Sequence, residues 1–344
     1  MKKLLNTLYI TASGRYLSLD GENIVVLENE AEVGRFPLHN FESIVTCGYT
    51  GASPALMGAC SVRGIAIVFL TPSGRFLARV TGEDRGNVIL RKTQYRCSEN
   101  PDYAVRIARN FLVGKIFNAR WVLERASRDY PLRLDAAKLK GISAGLRDSI
   151  AAVRQCEDLG KLRGIEGEAA KSYFSVFDDL ILQQKSDFFF HERSRRPPLD
   201  NVNALLSFVY TLLAGSCMSA LESVGLDPYV GFLHRDRPGR ASLALDLMEE
   251  FRPCLADRFV LSLINKKIIN AKDFMRQENG AVLLSAESRK TVLAAWQNKK
   301  YETITHPFLE QKLEWGMAPY SQALLLARFL RGDLEAYPPF LWKF

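Results

Sequence analysis

The chain has 344 residues, a formal net charge of +8 and 47% hydrophobic residues, enough for two domains with real cores. Its six cysteines are scattered without CxxC pairing, which excludes a zinc knuckle or a disulfide framework. With no signal peptide, the chain reads as a protein of the reducing cytoplasm.

Residues 1–82 read as β-structure. Short apolar or alternating runs fall at 4–10, 16–19, 24–27, 33–38, 44–45, 65–70 and 76–80. Asp20-Gly21 is a hairpin signal, and 71–74 (TPSG) is a turn joining two strands. One helix interrupts them near 54–63, with Gly64 ending it. The period changes at Asn100-Pro101, a good N-cap followed by a good first helical residue. Beyond it, Ala104, Ile107, Ala108, Phe111, Leu112, Ile116 and Ala119 form one apolar helical stripe. Residues 134–155 also look helical, with Gly141 and Gly145 as weak points. The expected fold is therefore α+β: a β-rich domain over 1–96, then a larger all-helical domain over 97–344. Charge divides unevenly, +2 in residues 1–95 and +6 beyond, which favours a polyanionic partner for the second domain.

Residues 193–200 (RSRRPPLD) make a basic loop, either a solvated linker or, as its place between the two chemistry-bearing stretches favours, a DNA contact in which Arg195 and Arg196 suit bidentate phosphate binding; Asp200 can cap the next helix. Asn203 sits on that helix's first turn, placed to cap it or to contact a nucleic-acid backbone. The run 201–221 is long enough to cross a bilayer, but its Asn, Ser, Thr, Tyr and Gly content makes a buried core helix the better reading. Residues 255–268 are amphipathic. The pairs Arg289-Lys290 and Lys299-Lys300 read as solvated faces, and His39, His191 and His306 carry no assigned role. The tail 337–344 is aromatic and proline-rich and packs either on the domain or on a partner.

Two stretches carry chemistry. Residues 231–253 (GFLHRDRPGRASLALDLMEEFRP) place His234 before a basic turn containing Arg235 and Arg240, then open an amphipathic helix. Asp246 and Glu249 share a face of that helix at three-residue spacing. An imidazole with carboxylates suits a divalent cation, and the arginines suit phosphates. The alternative stays open: a satisfied structural histidine beside a solvated Glu249-Glu250 face. Residues 163–174 (RGIEGEAAKSYF) start a second helix, whose stripe includes Ala169, Ala170, Tyr173 and Phe174. Glu166 lies on the same side, seven residues before Tyr173, and a carboxylate at the mouth of an apolar face is costly unless something pairs with it.

Together with 195–210 (RRPPLDNVNALLSFVY), these motifs resemble the CRISPR-associated integrase-endonuclease of the spacer-acquisition (adaptation) module, the family numbered one of that system. The opening MKKLLNTLYITASGRYLSLDGENIVV resembles the family's type I relatives, subtype I-C among the candidates. The resemblance implies that Glu166, His234 and Glu249 are metal ligands holding Mg²⁺ or Mn²⁺, with Asp246 as a second nearby carboxylate. It also implies a reaction in which a DNA 3′-hydroxyl attacks a phosphodiester at a repeat end, inserting a new spacer. The implied partners are double-stranded and branched DNA, a second copy in a homodimer whose interface is the β-rich domain, and a small companion protein, the family numbered two. Two dimers bridged by that companion would form a heterohexamer; no membrane is expected. Two other readings compete: a DNA-binding scaffold with a structural metal, and a general nuclease of branched DNA.

Overall fold

The structure is a computed structural model and describes residues 6–71, 76–80, 82 and 88–343. The turn expected at 72–74, the start of the first strand at 4–5 and Phe344 lie outside the described residues. The first part holds two four-stranded sheets. Its elements in order are β1 (Thr7–Ile10), β2 (Arg15–Asp20), β3 (Asn23–Glu28), β4 (Ala31–Pro37), β5 (Ser43–Cys47), β6 (Gly51–Ala52), α1 (Pro54–Arg63), β7 (Ala66–Leu70) and β8 (Phe76–Val80). One sheet runs β1-β5-β7-β8, parallel except for β8; the other runs β4-β3-β2-β6. Asp20-Gly21 does join β2 to β3, with Gly21 at φ +56°, a backbone that glycine adopts without strain. The helix α1 has the expected bounds: the Ser53 hydroxyl accepts from the Leu56 amide, and Gly64 closes it in the left-handed region. Leu17, Ile24, Leu38, Ile44, Leu56 and Ile67 bury both sheets and α1 in one small core.

Helices follow: α2 (Val88–Glu99), α3 (Pro101–Asp129), α4 (Ala136–Gln155), α5 (Leu159–Phe174), α6 (Asn201–Ser223), α7 (Ser242–Glu249) and α8 (Arg258–Asn265). Asn100 caps α3 by accepting from the amides of Asp102 and Tyr103. The helical packing begins ahead of that cap, because Leu90 of α2 already joins the larger core. A π-helical stretch, Arg252–Asp257, links α7 to α8. The second part is not helical throughout. The hairpin β9 (Phe274–Arg276) with β10 (Val282–Leu284) comes before α9 (Ala286–Tyr301). A second hairpin, β11 (Thr303–Thr305) with β12 (Lys312–Glu314), comes before α10 (Ala318–Leu330). Strands of three residues are too short to display a period, so the pattern did not reveal them.

Among the described residues α6 is the one helix long and apolar enough to cross a membrane, and 61% of its most apolar window is buried within the fold. It is the core helix of the larger cluster, which holds Leu205, Leu206, Val209 and Leu213.

Several surface readings change. Arg289 is buried and donates to the Leu284 carbonyl at 3.0 Å. Lys300 is buried too and reaches back to the Thr7 hydroxyl (3.1 Å) and Glu42 (3.2 Å), tying α9 to the first part of the chain. These partners lie up to 293 residues away, beyond any local pattern. Asn203 is fully buried and spends its side chain on Glu192, Asp200, Arg193 and the Ser194 amide, so it braces the basic loop and offers nothing to DNA.

Glu250 is likewise fully buried rather than solvated. It accepts from the Tyr337 hydroxyl (2.5 Å), the Gln322 amide (3.0 Å) and the Phe340 backbone N–H (2.9 Å). Asn118 adds bonds to the Phe340 carbonyl and the Trp342 amide. The aromatic tail therefore packs on its own domain. Burial pushes the Glu250 carboxyl up to about 7 against those three hydrogen bonds. Its folded pKa lies above the unfolded one, so its contribution to stability is full below about 4.5 and is lost as pH rises through about 7. We expect the stability difference between the wild type and Glu250→Gln to shift against the wild type by roughly 3 kcal/mol between pH 4.5 and 8, by the linkage of about 1.4 kcal/mol per pKa unit. Denaturant melts of both proteins across that range check it; parallel pH profiles would refute it.

Candidate active site

The chemistry-bearing residues come from three separate elements. Glu166 stands on α5, which Asp158 caps by accepting from the Lys161 amide. Glu249 ends α7, one turn after Asp246. His234 lies on the loop between α6 and α7. That loop is held from several sides. The Asp246 carboxylate, fully buried, accepts the backbone N–H groups of Phe232 (2.7 Å), Leu233 (2.9 Å) and His234 (3.0 Å). Gly231 permits this approach, since a Cβ there would meet Ser242 at 2.8 Å and Asp246 at 2.9 Å. From α2, the buried Gln94 donates to the carbonyls of Asp227 (2.7 Å) and Val230 (2.9 Å) and accepts from the Asp227 amide. Arg163 donates to the Leu233 carbonyl at 2.8 Å.

Asp246 also takes the His234 ring, with Nδ1 at 2.6 Å from its Oδ1. Nδ1–H donation to the carboxylate leaves Nε2 as the lone-pair nitrogen, the arrangement that orients a metal-binding imidazole.

Glu166, His234 and Glu249 line one cavity of about 330 Å³, together with Arg163, Leu233, Arg235, Arg237 and Arg240. Convergence of three distant segments is thus realised, but not as an ion cage. Among the described residues no three His, Cys, Asp or Glu side chains stand in a metal-holding arrangement. The Lys115 ammonium lies between the glutamates instead, paired with Glu166 and, at 2.7 Å, with Glu249 Oε2. Arg252 also donates to Glu249, at 2.8 and 3.2 Å. Burial alone would raise the Glu249 pKa; the charges of Arg252 and Lys115 hold it well below the usual carboxylate range.

Behind these groups lies a second layer. The Arg252 guanidinium sits over the Tyr210 ring at 4.5 Å, and the Tyr210 hydroxyl donates to Asp257 at 2.5 Å. The π-helical stretch carries both Arg252 and Asp257, and such stretches recur at functional sites. Sequence reasoning missed Lys115, Arg163, Arg252 and this layer. The one available signal was Lys115 itself, a cation interrupting the apolar stripe between Leu112 and Ala119.

Of the arginines expected at DNA, Arg235 and Arg240 rim the cavity, whereas Arg195 and Arg196 are exposed on the 193–200 loop and are not among its lining residues. The cavity thus carries two glutamates already paired with cations, and arginines around them.

The family model for CRISPR associated protein Cas1 matches residues 8–298. The CRISPR-associated endonuclease Cas1 2 of Rhodospirillum rubrum is 54% identical over 347 residues, covering 100% of both chains. This chain belongs to the Cas1 family. It is an endonuclease, as its curated relatives are. Two solved structures share the Cas1 fold. A casposase bound to integration product has a TM-score of 0.83 at 24% identity, covering 98% of this chain and 93% of that one. A Cas6-RT-Cas1–Cas2 complex has a TM-score of 0.82 at 23% identity, covering 98% of this chain and 36% of that longer one.

Proposed function

We propose that this Cas1 protein inserts new spacers into a CRISPR array as a divalent-metal-dependent DNA integrase and endonuclease. The observation that carries the reading is the convergence of Glu166, His234 and Glu249 on one arginine-rimmed cavity. The donor set, one lone-pair imidazole nitrogen with carboxylate oxygens, suits Mg²⁺ or Mn²⁺, and two glutamates that already draw a shared cation suit its charge. When bound, the ion supplies charge stabilisation at the scissile phosphoryl oxygens.

The chain's own residues do the rest. Asp246 fixes the His234 ring and the backbone behind it. Arg252 holds Glu249 against rotation. Arg163, Arg235, Arg237 and Arg240 seat the phosphates around the reacting one, so that a DNA 3′-hydroxyl is held in line with a repeat-end phosphodiester. One phosphodiester is exchanged for another, so no nucleotide hydrolysis is required.

The partners in this reading are double-stranded and branched DNA, a second copy in a homodimer, and a small Cas2-type companion bridging two dimers into a heterohexamer, in the cytoplasm. The solved Cas6-RT-Cas1–Cas2 complex and the casposase bound to integration product support the choice of companion and of DNA. Arg195 and Arg196 remain proposed DNA contacts, exposed on their loop and not among the residues that line the cavity.

The decisive assay mixes purified protein, companion, a short duplex with 3′ overhangs and a repeat plasmid, with Mg²⁺, Mn²⁺ or chelator. Joined product in metal and none in chelator is expected. Tight DNA binding without joining would move the reading to a scaffold, and cleavage of branched DNA without joining to a general nuclease. Arg235→Ala should weaken binding to all DNA sequences alike and flatten the salt dependence by about one unit in log K against log salt. An unchanged slope in anisotropy titrations removes Arg235 from the DNA surface.

A further inference from the structure

Lys115 is placed where a cation competes with a cation. It stands on the buried stripe of α3 and is 9% exposed. A buried ammonium is costly unless paired, and this one is paired with both glutamates that the proposed function gives to the metal. It bridges α3, α5 and α7, and without it two carboxylates would face one cavity. Lysine suits a temporary role: a point charge on a flexible four-carbon stem, with three donors that need no fixed fork.

A second place for that charge exists. Lys115 and Glu166 also line a neighbouring cleft, walled by Ala170, Phe174, Tyr173 and Asp257. Asp257 is buried there, with its Oδ1 taken by Tyr210. The buried Tyr173 hydroxyl faces that same Asp257 without closing a hydrogen bond of full geometry. The cleft thus sets a carboxylate and a tyrosine hydroxyl beside Lys115, neither of them among the residues that line the cavity.

Resting on the metal reading above, we propose that Lys115 is a built-in counter-cation: it holds Glu166 and Glu249 together in the metal-free protein and yields them to the incoming divalent ion, withdrawing toward Asp257 and Tyr173. Lys115 is then a positioning residue, and it sets metal affinity by opposing it.

Mn²⁺ titration of chelator-stripped protein, followed by the free-ion EPR signal and without DNA, tests this. Lys115→Met removes the competitor at similar length. It should bind Mn²⁺ about tenfold more tightly than the wild type, while its melting temperature drops in chelator and recovers in saturating Mn²⁺. Lys115→Arg keeps the charge and tests the same point if the Met protein fails to fold. Its planar fork should grip the carboxylates harder and weaken Mn²⁺ binding several-fold. Unchanged affinity in the variants beside a wild type that binds Mn²⁺ makes Lys115 a permanent structural pair and overturns the counter-cation, leaving the metal reading standing. A wild type that binds no Mn²⁺ sinks both.

Discussion

His234→Ala should lose strand transfer and cleavage by roughly a thousandfold or more, the scale expected when several kcal/mol of transition-state charge stabilisation goes. The substitution removes the lone-pair nitrogen that Asp246 prepares and touches none of the arginines on the cavity rim. DNA affinity should therefore change little, because it comes mainly from backbone contacts. Folding should survive as well: the loop is held through its main chain by Asp246, Gln94 and Arg163, and those bonds do not involve the ring. The measurement is a joining assay beside anisotropy and a melting curve. An intact, DNA-binding His234→Ala protein that joins at the wild-type rate would remove His234 from the mechanism. One that simply unfolds would make the histidine a core hydrogen-bonding residue.

Asp246→Ala should fail in both respects at once. Three consecutive backbone N–H groups lose their acceptor, those of Phe232 and Leu233 buried, and each unsatisfied buried donor costs about 1–3 kcal/mol, so a loss of at least about 2 kcal/mol is expected. The imidazole also loses the group that fixes its tautomer, which alone costs about 10–100-fold in metal affinity or activity at comparable sites. Asp246→Asn separates the two effects. Its amide oxygen can still accept from the loop, so most of the stability should return, while the wrong partner for Nδ1 keeps activity low. Denaturant melts and joining rates on the same preparations decide it. An Asn variant with wild-type activity would show that the tautomer is set elsewhere.

What the sequence made legible is what depends on neighbours along the chain. Helix ends at Ser53, Gly64, Asn100 and Asp200, the β2–β3 hairpin and the apolar stripe of α3 are all local chemistry, and the structure places them where the residues implied. The family and the endonuclease reading follow from motifs of ten to twenty residues, and the comparisons show both. What stayed hidden was how charges are satisfied. Glu249, Glu250, Arg289 and Lys300 look solvated one by one and are buried because partners arrive from 3 to 293 positions away. Asn203 shows the opposite error: a polar residue beside a basic loop suggested an external contact, and its bonds all turn inward. The metal-ligand set itself was legible only as three residue types; the lysine between them belongs to a helix 51 residues earlier.

The His234 loop is moored at both ends, by Gln94 near its start and by Asp246 at the histidine, and apart from the ring's own bond these ties run to the main chain. Among the described residues, the hydrogen bonds of the turn that follows, Arg235 to Arg240, are short-range ones to Ser242 and within itself. If the turn arginines hold DNA as proposed, substitutions there should retune how tightly DNA ends are gripped without shifting the imidazole. On that reading, substrate preference could diverge among relatives of this protein while the reacting centre stays in register, because the two are carried on adjacent lengths of chain held by different bonds.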